Sequence, residues 1–232
     1  MIAVRRSEER RHLRRGVHDA WRTFDRDNRL DPLCRGFRAL ESLNEEHIGP
    51  DMGLCPPPQE VIEMITYVRE GTLVRQDRAG KRSRLGPGEF ERASAGSGVA
   101  YRALNGSLND RAQVFQSCIT TGAAGPVLER EQKRFPTADR EGVLGLILSP
   151  DGRGKSLRIC QDVWLYSSIL LLGHHLLHEL GKGRGAWLHV VKGRILLREF
   201  ELCAGDGAAL ENEAVISFTA KEPAEVLLFD LA

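Results

Sequence analysis

Four histidines crowd one stretch of this sequence: His174, His175, His178 and His189. Neutral imidazole is the commonest protein ligand for a divalent metal. On a strand, alternate residues share a face, so His174 and His178 could point together, with His189 arriving from the next strand. A metal centre needs three or four converging donors. The carboxylate that the following strand offers at a matching place is Glu201, and Gly181 to Gly185 reads as a loop. The four are therefore read as exposed histidines at a sheet edge. The five cysteines, Cys34, Cys55, Cys118, Cys160 and Cys203, are odd in number and scattered, with no C-x-x-C. They suggest neither a zinc site nor a disulfide framework. Cys55 has no basic residue within three positions to stabilise a thiolate. Cys118 and Cys160 lie in apolar runs and read as small core residues. Gly152-Arg-Gly154-Lys155 lacks the spacing and the following helix of a phosphate loop, and reads as a turn. No nucleophile elbow, dinucleotide fingerprint or nucleic-acid module is visible, so no catalytic residue is assigned.

The elements that must carry such residues are strands. The 232 residues suffice for one large or two small domains, and 41% are hydrophobic. Lys and Arg number 33 against 32 Asp and Glu, a net charge of +1 that steers the chain towards neither nucleic acid nor anionic membrane. Met1 to Val4 is followed at once by Arg5 and Arg6 rather than an apolar signal core, and a cytoplasmic protein is expected. From Arg5 to Arg29 arginines alternate with acids, as on a solvated surface rather than an anion-binding arm. Met64 to Val68 is a β-branched run, followed by Thr72 to Arg75, a hairpin turn at Asp77 to Gly80, and a turn at Pro87-Gly88 before Glu89 to Ala93. Val114 to Ile119 and Val143 to Leu148 are further strands. The pattern then recurs: Trp187-Leu-His-Val-Val-Lys-Gly193 echoes Ile65-Thr-Tyr-Val-Arg-Glu-Gly71, and Ala204-Gly-Asp-Gly207 echoes Gly86-Pro-Gly88. A strand-rich unit used twice predicts two similar barrels or sandwiches. The boundary is placed between Gly122 and Phe135, giving domains 1–125 and 126–232.

Several separated words occur in a familiar order: Arg6-Ser-x-Glu-Arg10, Thr23-Phe24, Asp31-Pro32, Gly36-Phe37, Glu129 to Phe135, Ser156-Leu157, Gln161-Asp162 and Leu165-Tyr166. With the stretch from Gly53 to Asn105, they make the whole chain resemble the pirin family. The resemblance implies an all-β bicupin of two stacked antiparallel, jelly-roll barrels, with short helical turns near Pro126 to Phe135. In that family a His-x-His pair and a His-x-Glu pair hold iron or another divalent metal in the first barrel. The matching positions here are Pro57, Gln59, Tyr101 and Ala103. Proline and alanine have no donor, Gln59 offers one amide oxygen, and a protonated Tyr101 is a poor ligand. Val17, Arg22 and Arg26 depart from the family near the same pocket, and Cys118 stands where a Trp is usual. Glu63 is a candidate lining residue.

The resemblance thus describes a pirin without its metal: no cofactor, no metal ligand, and a pocket at the four substituted positions. The expected function is non-catalytic binding of a small molecule or a protein partner, with no direct nucleic-acid or membrane contact and no oligomeric state implied. The alternatives it carries are a quercetin 2,3-dioxygenase-type enzyme and a transcriptional co-regulator.

Overall fold

Runs of alternating polarity fold into strands, and glycines mark where they turn. A computed structural model describes residues 1–54, 62–76, 80–95, 102–120 and 130–232. In chain order the earlier strands are β1 (Ile2–Arg5), β2 (Arg11–Arg15), β3 (His18–Arg22), β4 (Leu40–Ile48), β5 (Ile62–Glu70), β6 (Leu73–Gln76), β7 (Arg82–Leu85), β8 (Glu89–Ala95), β9 (Arg102–Asn105), β10 (Ala112–Thr120) and β11 (Glu131–Arg134). The later ones are β12 (Gly145–Ser149), β13 (Leu157–Arg158), β14 (Val163–Leu170), β15 (His175–Glu179), β16 (Gly185–Lys192), β17 (Arg194–Leu197), β18 (Phe200–Cys203), β19 (Gly207–Glu211), β20 (Val215–Ala220) and β21 (Ala224–Leu231).

The chain divides into two units. One comprises Arg11–Gly36 and Leu40–Arg134; the other comprises Met1–Arg10, Phe37–Ala39 and Phe135–Ala232. A single cut at 125/126 falls in residues 121–129, outside those described, and the strands on either side cross it. β11 stays with the first unit by pairing with β8, and β1 joins the second by pairing with β19. The helical turn expected near Pro126 to Phe135 is displaced: Glu131–Arg134 is a strand, and a 3-10 turn follows at Thr137–Asp139.

In the first unit a seven-stranded sheet runs β11-β8-β5-β10-β4-β3-β2 and a three-stranded sheet runs β7-β6-β9. In the second, the orders are β1-β19-β16-β21-β14-β12-β13 and β15-β20-β17-β18. The repeat read from the sequence is therefore a repeat of pairing: β8-β5-β10-β4 corresponds to β19-β16-β21-β14, and β7-β6-β9 to β18-β17-β20. Gly71 and Gly193 close the equivalent turns after β5 and β16 at φ +77° and +76°. A Cβ there would lie 2.7 Å from Ala112 Cα and 2.1 Å from Pro223 O, so only glycine fits. Between the two sheets of the first unit Ile48, Val68, Leu73, Leu85 and Val114 form a core, each such burial contributing about 1.5–3 kcal/mol. The second unit has a larger core of the same kind around Leu188, Val190, Phe218 and Leu228. No helix of the described residues is long and apolar enough to cross a membrane.

Candidate functional site

The interior face of the first unit's large sheet carries a row of polar residues. β3, β4, β10, β5 and β8 are successive antiparallel neighbours, and their register aligns Arg22, Asn44, Gln116, Thr66 and Glu91. Residues opposite one another in such a ladder share a face and stand about 5 Å apart. The row lies on the same face as Val68 and Val114, two residues along their strands, and Ile48, four residues along β4. Each member therefore interrupts an inward-facing position where an apolar residue would be expected, and must find a partner or a ligand.

One end of the row is closed by its own partners. Arg75, from β6 in the facing sheet, reaches Thr66 Oγ1 at 2.7 Å and Glu91 Oε1 at 2.6 Å. Arg130 Nε approaches Glu91 Oε2 at 2.8 Å. Arg75 and Glu91 are buried to 1% and 0% exposure. Two buried charges cost several kcal/mol each in lost hydration, which only close pairing offsets. Burial pushes the Glu91 carboxyl above the usual carboxylate range, against the pull of Arg75, Arg130 and Arg92. Directly opposite Arg75 in the small sheet is Ala103.

The other end opens into a cavity of about 370 Å³ lined by Arg22, Asn44 and Gln116, with Leu13, Phe24 and Met64 supplying apolar wall. Asn44 and Gln116 are 8% and 9% exposed. Gln116 donates weakly to Thr66 Oγ1 at 3.4 Å. Its own oxygen accepts no hydrogen bond, and the Asn44 amide makes none, among the described residues. The Arg22 guanidinium also makes none; its nearest acid, Glu46, is 3.6 Å away and is held at 2.7 Å by His18. The remaining arginines at the rim are paired, Arg11 with Asp25 and Asp27, and Arg26 with Glu41. Burial pushes the Cys118 thiol up, against the pull of a hydrogen bond with Ser42 and the nearby Arg22 and Arg26, so this lining cysteine is no nucleophile at neutral pH.

The residues singled out in the sequence fall as follows. Cys55, Pro57, Gln59 and Tyr101 lie outside the described residues. Ala103 is buried among Val68, Leu73 and Leu85 and offers no donor. Glu63 is buried too, but alternates with Met64 and Thr66, leaves β5 by the opposite face and does not line the cavity. Arg22 and Arg26 do line it, whereas Val17 is exposed. The histidines need correcting. His175 is exposed on the edge strand β15, with Thr219 Oγ1 at 2.9 Å. His178 is instead partly buried against Asp230 at 2.9 Å, an acid shared with Arg184. His189 is wholly buried, because Trp187 to Val191 forms the interior of β16, between β19 and β21. Among the described residues, no three His, Cys, Asp or Glu side chains are grouped to hold a metal. Cys160 is half-buried and outside any strand, not a core residue. Asn44, Gln116, Thr66, Arg75 and Glu91 are not marked by any motif. Their signal is a polar letter at an inward position of an otherwise apolar strand.

The equivalent row of the second unit is apolar. Leu188 stands where Thr66 does, and its register neighbours are Leu228 and Ala208, with Tyr166 beyond Leu228. The row in register with Leu188 thus carries no buried charge, and the polar cluster of the second unit, Asp230 with His178 and Arg184, lies two residues beyond Leu228.

Residues 6–119 match the family described as Pirin, and residues 146–231 the Quercetinase C-terminal cupin domain. A protein of Escherichia coli K12 named quercetin 2,3-dioxygenase is 36% identical over 231 residues, covering 100% of this chain and 99% of its own. A pirin-like protein of Caulobacter vibrioides is 33% identical, covering 87% of each. The crystal structure of the bacterial pirin YhhW from Escherichia coli in complex with nickel(II) superposes with a TM-score of 0.89 at 37% identity, covering 100% of this chain and 99% of that one.

Proposed function

This chain belongs to the pirin family, and we propose that it is a member whose first cupin has lost its metal shell and binds a small organic molecule in the cavity ended by Arg22, Asn44 and Gln116. The observation that carries this reading is the pair Ala103 and Arg75. The residue aligned with the family's carboxylate ligand has no donor atom, and a buried guanidinium stands opposite it. That guanidinium has no lone pair to donate and is already held by Glu91 and Thr66, so the residues present do not fit a metal there. Pro57, Gln59 and Tyr101 add at most one amide oxygen and one phenol. No oxygen-activating step is derived, because such chemistry requires an ion with an open position.

The second reading is the dioxygenase activity named for the Escherichia coli relative, which its 36% full-length identity favours. One preparation separates the two. Protein from iron-supplemented cells is analysed for iron, nickel, copper and zinc after dialysis, then assayed for oxygen uptake with quercetin. Far less than one metal per chain, with uptake no faster than free metal in buffer, is expected. Stoichiometric metal, with uptake that saturates in flavonol and scales with protein, would establish the enzyme instead.

A further inference from the structure

Three of the cavity's polar groups keep unused bonding capacity: the Arg22 guanidinium makes no hydrogen bond, the Asn44 amide makes none and the Gln116 oxygen accepts none, among the described residues. Arg22 on β3, Asn44 on β4 and Gln116 on β10 are consecutive in one register row. Asn44 and Gln116 are more than nine-tenths buried. The Asn44 amide and the Gln116 oxygen face the cavity, where water or a ligand completes them. The chemistry of the three is complementary to one kind of molecule. Arg22 offers a planar fork of N–H donors and a positive charge, suited to a carboxylate. The Asn44 NH₂ stands beside it as a further donor. The Gln116 oxygen lies one strand further on and accepts a hydrogen bond. Leu13, Phe24 and Met64 supply an apolar wall.

We infer that the cavity takes a small organic acid bearing a hydroxyl donor and an apolar body. Its carboxylate lies between Arg22 and Asn44, and its hydroxyl donates to Gln116. His18 holds one Glu46 oxygen at 2.7 Å, Asp25 and Asp27 serve Arg11, and Glu41 serves Arg26; Arg22 meets the other Glu46 oxygen only at 3.6 Å, an ion pair without a hydrogen bond, so its N–H fork keeps its bonding capacity. Glu46 sets the position. It lines the cavity too, with its register partners Ala20 and Val114 on the row beyond, and the proposed acid lies on the Ser42 side of it. A molecule without a planar acceptor would leave the Arg22 fork unused, and an inorganic anion would leave Gln116 and the apolar wall unused.

This inference rests on the small-molecule reading above, and the experiment keeps the two apart. Titration calorimetry uses three probes of similar shape: mandelate, its amide mandelamide, and phenylacetate, which lacks the hydroxyl. Metal content is measured on the same sample. Mandelate should bind at one site. Mandelamide should bind roughly 10–100-fold more weakly, the worth of a charge-assisted contact, and phenylacetate about 2–10-fold more weakly. Arg22→Gln should weaken mandelate about as much as the change to amide does, and Arg22→Lys by less. Arg22 is partly exposed, and an unchanged melting temperature verifies that its variants fold. Equal affinity for acid and amide, no effect of Arg22→Gln, or no mandelate binding at millimolar concentration in metal-free protein overturns the inference while leaving the loss of metal standing. Mandelate binding with this order in a protein that proves metal-loaded would uphold the inference and overturn the reading it rests on.

Discussion

Replacing Arg75 with methionine tests how the polar row is held. The change removes the guanidinium within 2.6 Å of Glu91 and 2.7 Å of Thr66, at a site with 1% exposure. Losing one partner of a buried pair costs about 3–5 kcal/mol. Arg130 remains on the other Glu91 oxygen, which places the expected loss at the lower end, about 3 kcal/mol. The cost should depend on pH with a definite sign. Burial already holds the Glu91 carboxyl above its ordinary range, and removing Arg75 removes the largest downward pull, so the folded value rises further. A group raised in the folded state takes up a proton on folding. Its stabilisation is therefore present below the unfolded value, about 4.3, and is lost as pH rises through the folded one. The variant should be hurt most at about pH 8 and least near pH 5. Adding Glu91→Leu should recover part of the loss, because an apolar pair of similar volume carries no desolvation cost. Urea denaturation of the four proteins of this cycle, at both pH values, measures all three effects. A loss under about 1 kcal/mol at the higher pH, or an equal loss at both, would refute the idea that this ion pair fastens the two sheets together.

Alkylation by iodoacetamide at neutral pH, read peptide by peptide, should label exposed Cys203 quickly and Cys118 slowly, since the latter is buried with its thiol pushed up. The Asp19 carboxylate is held below its ordinary value, first by its hydrogen bond with His12, so the contribution of this pairing is present above the ordinary value and lost as pH falls through the folded one; His12→Ala should move the Asp19 titration seen by NMR upward. Making Pro57→His, Gln59→His, Tyr101→His and Ala103→Glu together supplies a three-imidazole, one-carboxylate shell. With Arg75 opposite position 103 to capture the new carboxylate, the quadruple variant should bind nickel about tenfold or more weakly than the same variant carrying Arg75→Met, by calorimetry.

The fold was readable because its signals are local. Period-two runs, the turns at Pro87-Gly88 and Gly71, and the recurrence at Trp187 to Gly193 each lie within a dozen residues. They led to β5, β6, β8, β10, β12 and β16 and to the repeat, whereas β2, β3, β4 and β11 were not read as strands. The site was not readable in the same way, because its row takes one letter from each of five strands between Arg22 and Gln116. What aligns those letters is ladder register, and no spacing in the chain records it. The histidine cluster misled for the converse reason. His174, His175, His178 and His189 are close in sequence, but strand alternation and pairing send His175 outward, His178 to Asp230 and His189 into the interior of a central strand. Arg22 was the exception. It was visible as a departure from the family near the pocket, and it does line the cavity.

The two halves of the chain also constrain what the polar row is for. They share strand order, turn glycines and register, so the second unit shows what this framework needs in order to fold. At the position of Thr66 it needs only Leu188, in register with Leu228 and Ala208 within an apolar core. Nothing about the framework itself therefore demands Asn44, Gln116, Thr66 or Glu91 at the inward positions of the first unit. Folding alone would favour their replacement, since each polar burial costs about 1–3 kcal/mol unless fully bonded. At one end the structure meets that cost internally, through Arg75 and Glu91. At the other, where the row meets the cavity, the bonds are left open at Arg22, Asn44 and Gln116. Bonds left open only where the row meets the cavity support the proposed binding role, and the sites to perturb first are those three residues rather than the four inherited metal positions.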